Sequence, residues 1–215
     1  MSQINLKVSG IAHDLNNQIM ILMYALDRVV TLFPDDPDAR QAVKAAQHCA
    51  LLVDQLVPNQ RPLPHRSSVR EIVSEAAMLA RPLLPAYNRL EVSCRTDCYI
   101  SGPSGAIEQA LVNLCINARD AMDGPGVISM EAEQSAESVI LRVRDTGPGV
   151  PLELRDSIFE PLFTTKNEWG GRGFGLARVR ETVLQIGGSI SVEAVFPHGA
   201  SFRIVLPSCP ANRIT

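Results

Sequence analysis

The chain has 215 residues, with 20 Lys plus Arg against 23 Asp plus Glu and a net charge of −3. That balance excludes a globally basic surface, so no nucleic-acid partner is expected. Hydrophobic residues make up 46 % and aromatics only 5 %, which predicts a packed and mainly aliphatic core rather than disorder.

The longest apolar run, Ile19 to Leu26, stops after eight residues at Asp27, against the about 20 needed to cross a bilayer. No membrane insertion is expected. His13, Asp14, Asn16 and Asn17 stand where a signal peptide would need apolar residues. Five cysteines, at 49, 94, 98, 115 and 209, are odd in number and form no CxxC pair. They read as buried reduced thiols, which places the protein in the cytoplasm.

Residues 4–33 carry apolar side chains at Ile4, Val8, Ile11, Leu15, Ile19, Leu22, Leu26, Val29 and Phe33, a heptad-like seam that predicts one long helix. Pro34 and Pro37 end it, and Asp36 is placed to cap a second helix with Pro37 at its first position. That helix runs to about Val57, its stripe made by Ala39, Val43, Ala46, Ala50, Val53 and Leu56. The pair is an antiparallel hairpin over residues 1–57. One hairpin leaves a stripe uncovered, so a homodimeric four-helix bundle is expected. The alternative is that the C-terminal domain covers the stripe.

Residues 58–68 hold three prolines and no apolar periodicity, and read as a linker. From 69 to 215 the pattern is mixed. Helices are predicted at Val69–Leu79, Pro103–Met122 and Gly175–Ile186. Short strands are predicted at Leu90–Cys94 and Tyr99–Ser101. Alternating strands pair over Val127–Ala132 and Val139–Val143, and a last hairpin joins Ser189–Val195 to Ala200–Leu206. This is an α+β sandwich.

His13 falls at the outward heptad position between Ile11 and Leu15, where an imidazole has no packing task and its neutral form is a nucleophile. Asp14 can orient it or take its proton, and Asn17, at i+4, shares its face. Taken alone, His13 is an ordinary surface histidine. Met20 and Tyr24 continue the face, as a docking surface or as the flank of the bundle core. His48, His65 and His198 have no such context and receive no role.

Four segments of the second domain change the reading. Asn113, Asn117 and Asp120 share a helix face whose oxygens suit hydrated magnesium on phosphates. A strand ends in Asp145-Thr146-Gly147-Pro148-Gly149, an acceptor for an exocyclic amine beside glycines that admit a base to the backbone. Ile158 to Lys166 follows. Gly171-Arg172-Gly173-Phe174-Gly175-Leu176 then opens a helix whose free N–H groups suit phosphates, with Lys166 and Arg172 as cations.

In this order the segments resemble the histidine kinases of two-component signalling. GIAHDLNNQ resembles the family's phosphoacceptor box, LVNLCINARDAM its N box and DTGPG its first glycine box. IFEPLFTTK resembles its F box, GRGFGLA its second glycine box and HGASFRIVLP its closing strand, with Ser201 where Thr is common. The resemblance implies a dimerisation and phosphotransfer hairpin followed by a Bergerat-fold ATP-binding domain. ATP and Mg²⁺ are the implied cofactors. Asn117 would ligate Mg²⁺ and Asp145 would bond the adenine amine. The remaining nucleotide contacts would come from Asn113, Asp120, Gly147, Gly149, Phe163, Thr164, Thr165, Lys166, Gly171, Gly173, Gly175, Leu176 and Ser201. His13 would accept the γ-phosphoryl group and pass it to an aspartate of a response regulator receiver domain. Asp14 would serve the kinase step and Asn17 a phosphatase step. The lid between Lys166 and Gly171 is short. Gly170-Gly171 leaves the start of the second glycine box open by one residue.

Three rivals stay open: a phosphotransferase or phosphatase of the same fold without autokinase activity, a Bergerat ATPase or serine kinase, and a non-catalytic dimerisation adaptor. The 215 residues leave no room for a sensor, so input is expected from a separate sensory protein or a missing segment.

Overall fold

The computed structural model describes residues 66–209, except 103, 123, 161–162 and 164–174, together with scattered positions between Leu15 and Cys49. The chain divides into two compact units, one centred on Met1–Arg61 and one on Pro62–Thr164 with Arg172–Thr215.

In the first unit the described positions from Leu15 to Val29 and from Pro37 to Cys49 are helical, and Phe33 and Asp36 between them are not. The Asp36 carboxylate accepts hydrogen bonds from the N–H groups of Asp38 (2.9 Å) and Ala39 (3.3 Å), the cap its position before Pro37 predicts. Ile19, Ala39 and Ala46 are buried, whereas Leu15, Leu22, Val29 and Phe33 are exposed.

The second unit is an α+β sandwich. Its elements are β1 (Arg66–Ser68), α1 (Val69–Ala80), β2 (Asn88–Arg95), β3 (Tyr99–Ser101), α2 (Ser104–Ala121), β4 (Gly126–Ser135) and β5 (Ser138–Asp145). Then come α3 (Gly175–Gln185), β6 (Ser189–Ala194) and β7 (Ala200–Cys209). The sheet order is β1-β3-β7-β5-β4-β2, with β6 also on β7. β2 and β4 run parallel and every other pair is antiparallel.

Alternation decides which face is covered. Ile128, Met130 and Ala132 of β4, Val139, Leu141 and Val143 of β5, and Phe202, Ile204 and Leu206 of β7 are all buried. The three helices pack on that side. The intervening residues, among them Glu131, Glu133, Arg142 and Arg203, are partly exposed and belong to the opposite face. Among the described residues no helix is long and apolar enough to cross a membrane.

Two expectations change. Arg66–Ser68, inside the stretch read as linker, pairs with Tyr99–Ser101. An edge strand of three residues needs only backbone partners, so the polar triplet RSS gave no periodic signal. Ser68 also caps α1 by accepting from the Glu71 N–H. All five cysteines are free as expected, yet only Cys115 is buried.

Candidate functional site

Asp145 ends β5 in phase with Val139, Leu141 and Val143, so its carboxylate points to the helix-covered side, where the residue is 4 % exposed. Its Oδ1 accepts hydrogen bonds from the N–H groups of Gly147 (2.9 Å) and Ala200 (3.1 Å). Burial pushes this carboxyl above the ordinary carboxylate range, and the two backbone donors hold the rise back. Both bonds fall on one oxygen, so Oδ2 keeps its accepting capacity.

The turn after Asp145 is tight at its glycines. Gly149 has φ +81°, and a Cβ there would lie 2.7 Å from the Gly199 carbonyl oxygen. Gly199 has φ +125°, and a Cβ there would overlap the Asp145 carbonyl oxygen. Gly147 lies against the C-terminal end of α2, its Cβ position 3.2 Å from Met122 Cγ and 3.5 Å from the Ala121 carbonyl. Thr146 is held twice: its Oγ1 accepts from the Val127 N–H (3.0 Å), and its carbonyl lies 3.0 Å from His198 Nδ1. Beside this turn is a cleft of about 370 Å³ lined by Met122, Pro125, Thr146, Gly147, Pro148 and His198.

One helical turn before Ala121 stands Asn117. Its Nδ2 is buried without a hydrogen-bond partner. Its amide lies 3.8–3.9 Å from where a Cβ on Gly175 would be, so it looks onto the first residue of α3. Helix N-termini carry unpaired N–H groups and a partial positive charge. Asn113, one turn earlier, is buried. Asp120 is engaged by its neighbour: Arg119 donates to its Oδ1 at 2.5 and 2.7 Å and also reaches the Leu83 carbonyl at 2.9 Å.

Asp145, Gly147 and Gly149 thus form one turn, that turn abuts the end of α2, and α2 carries Asn117 to the start of α3. Leu176 lies in the first turn of α3 and is half-buried. Phe163 is half-buried after the 3-10 turn Ser157–Phe159, and its N–H donates to the Glu160 carbonyl (3.2 Å). Phe159 meets Phe202 of β7 edge-on at 6.3 Å and anchors that segment to the sheet. His13, Asp14, Asn17, Thr164, Thr165, Lys166, Gly171 and Gly173 lie outside the described residues.

Ser201 does not join the group. It pairs in register with Arg144 and shares that residue's face, opposite to Asp145. The residue that meets Asp145 is Ala200, through its backbone N–H. Side-chain identity hides this contact. The phase of β7 reveals it, because the buried Phe202, Ile204 and Leu206 put Ala200 on the Asp145 side. Gly199 and His198 were missed for the same reason, since a turn's close approaches leave no mark in composition.

A half-buried site with a free carboxylate oxygen at one end and an unpaired amide donor facing a helix N-terminus at the other suits a ligand with an amine and anionic oxygens. The comparisons agree. The profile of the family described as histidine kinase-, DNA gyrase B-, and HSP90-like ATPase matches residues 102–210. Sensor kinase CckA of Brucella abortus (strain 2308) is 31 % identical over 230 residues, covering 96 % of this chain and 24 % of its own length. The chain therefore spans about a quarter of that relative. The mycobacterial sensor histidine kinase MprB superposes with a TM-score of 0.62 at 27 % identity, over 69 % of this chain and 99 % of that one. Full-length ShkA, solved in complex with AMPPNP, shares the fold with a TM-score of 0.64 at 21 % identity, over 96 % of this chain and 46 % of its own. With the profile matched over half its length on the very segments that build the site, the chain belongs to the histidine kinase-, DNA gyrase B- and HSP90-like ATPase family, and within it to the transmitters of sensor histidine kinases.

Proposed function

We propose that the chain autophosphorylates His13 from ATP and passes the phosphoryl group to an aspartate of a response regulator receiver domain. Residues 66–215 form the ATP-binding domain, with Arg66–Ser68 as its first strand, 58–65 the linker and 1–57 an antiparallel hairpin that pairs with a second copy as a four-helix bundle. Exposed Leu15, Leu22 and Val29, seven residues apart, support that pairing.

The observation that carries the reading is the Asp145 carboxylate, one oxygen tied to two backbone N–H groups and the other free. The free oxygen accepts the adenine amine, with Gly147 and Gly149 admitting the base. Asn117 Nδ2, buried and unpaired, would gain a phosphate oxygen as acceptor, and Asn117 Oδ1 would hold Mg²⁺. When bound, that ion would supply neutralisation of phosphate charge. Phosphates lie toward the N-terminus of α3 at Gly175, with Asn113, Gly171, Gly173, Leu176, Phe163, Thr164, Thr165 and Lys166 completing the enclosure. Asp120 acts through Arg119. His13 attacks the γ-phosphorus in line while Asp14 holds its proton, the bond from that phosphorus to the β,γ-bridging oxygen breaks and ADP leaves, and positioning supplies most of the rate. Asn17 orients water for hydrolysis of the regulator's acyl phosphate.

The test is incubation with γ-labelled ATP. Wild type is expected to acquire an acid-labile, base-stable label and His13→Ala none. Label retained in His13→Ala, or never acquired by wild type, refutes the autokinase reading.

A further inference from the structure

The turn between β6 and β7 reaches the nucleotide site at three consecutive residues. Ala200 donates from its backbone to Asp145 Oδ1. Gly199 packs against the backbone of Asp145 and Gly149. His198 brings Nδ1 to 3.0 Å from the Thr146 carbonyl oxygen. The first two contacts are backbone, and only the third depends on a side chain.

That third contact acts on a particular peptide unit. The Thr146 carbonyl and the Gly147 N–H belong to the same planar group. Its oxygen faces His198 and its N–H donates to Asp145 Oδ1 at 2.9 Å. A carbonyl only accepts, so Nδ1 carries the hydrogen. The chain of bonds runs from the imidazole N–H through one rigid peptide to the carboxylate. Bonds in such a series polarise one another, and fixing the plane at both ends fixes which carboxylate oxygen is occupied.

We propose that His198 is a positioning residue for recognition of the base: by holding the Thr146–Gly147 peptide it keeps Asp145 Oδ1 engaged and Oδ2 turned to the exocyclic amine of the nucleotide. The inference rests on the reading of Asp145 as the adenine acceptor. It gives a role to a histidine that stands exposed at a turn. Its one described hydrogen bond is to the Thr146 carbonyl, so its effect reaches the base through the interaction that Asp145 makes.

Inosine diphosphate separates this role from a structural one, because hypoxanthine carries an oxygen where adenine carries the amine. The experiment is calorimetric titration of the full chain with ADP and with inosine diphosphate, for wild type, His198→Leu and His198→Asn. The Asn amide nitrogen can replace Nδ1 as donor. Wild type is expected to prefer ADP. In His198→Leu, ADP affinity falls about fivefold, the worth of one hydrogen bond, while inosine diphosphate binds as before. His198→Asn restores the preference. Unchanged binding of inosine diphosphate doubles as the control for folding. A preference intact in His198→Leu, or equal weakening of both nucleotides, overturns the role of His198 and leaves the reading of Asp145 standing. A wild type that does not distinguish the two nucleotides overturns both.

Discussion

The two ends of the proposed nucleotide site are built by opposite means. At the Asp145 end a single carboxylate is placed by backbone: two N–H groups on one oxygen and glycines packed where no Cβ fits. At the Asn117 end the functional group is a side chain on a regular helix, its amide nitrogen unpaired and facing Gly175. The first end ties function to stability, because the atoms that position the carboxylate also close the fold. The second stores an unsatisfied donor for the ligand, so function and stability are opposed there.

The comparison breaks most visibly at Gly199. Gly199→Ala puts a Cβ onto the Asp145 carbonyl oxygen at a φ that L-residues avoid. Backbone strain and overpacking together should cost about 3 kcal/mol, lowering Tm by about 10 °C. Circular dichroism melts with a nucleotide titration measure both losses. An unshifted Tm would mean that the turn is not held by β7.

Asp145→Asn should separate the two quantities at the same end. The amide oxygen still accepts from Gly147 and Ala200, but the acceptor for the amine becomes a donor. Nucleotide affinity should fall about 10- to 100-fold, as for a lost hydrogen bond to a charged group. Stability should not fall. Burial raises the Asp145 carboxyl in the folded state, so the contribution of this group is full below the ordinary carboxylate value of about 3.9 and is lost as pH rises through the raised one. At pH 7 the variant should melt at or above wild type, and the gap should narrow on acidification. Melts from pH 4 to 8 test this, and a variant less stable at pH 7 than at pH 4, relative to wild type, contradicts the sign.

Asn117→Ala probes the opposite end. It removes a buried donor that has no partner, so Tm should stay level or rise. ATP affinity should drop about tenfold while adenosine, which lacks phosphates, binds as before. Equal losses for ATP and adenosine would place Asn117 at the base instead.

The contrast between the ends also marks what could be read from residues. Period-two alternation in Val139, Leu141 and Val143 announces β5 and puts Asp145 in phase with the core. The Asp-Pro pair announces the cap at Asp36. Side-chain sites on regular elements, such as Asn117, follow from spacing. Backbone sites do not. Ser201 matches a family motif, yet strand phase sends it to the other face and leaves the Ala200 N–H at the carboxylate. Asp120 shares the helix face of Asn117 by spacing, but Arg119 beside it takes its carboxylate, an i,i+1 contact that helix-face arguments exclude. Arg66–Ser68 pairs through its backbone with no apolar residue to show for it.

The smallest effect is expected at Cys115, on α2 midway between Asn113 and Asn117. It is fully buried, and burial alone pushes its thiol up to about 12. A thiol at that value holds a thiolate fraction of only about 10⁻⁴ at pH 8, and the thiolate is the form that reacts. Iodoacetamide should therefore label exposed Cys49 within minutes and leave Cys115 untouched until the protein is unfolded, with or without nucleotide. The result bears on the comparison because α2 supplies both ends of the proposed site: Asn117 stands one turn before its end, and the end itself supports Gly147. If Cys115 reacts at the rate of Cys49, α2 lifts from the sheet in the native state. The two ends would then move together, and the separate behaviour expected of Asp145→Asn and Asn117→Ala would disappear.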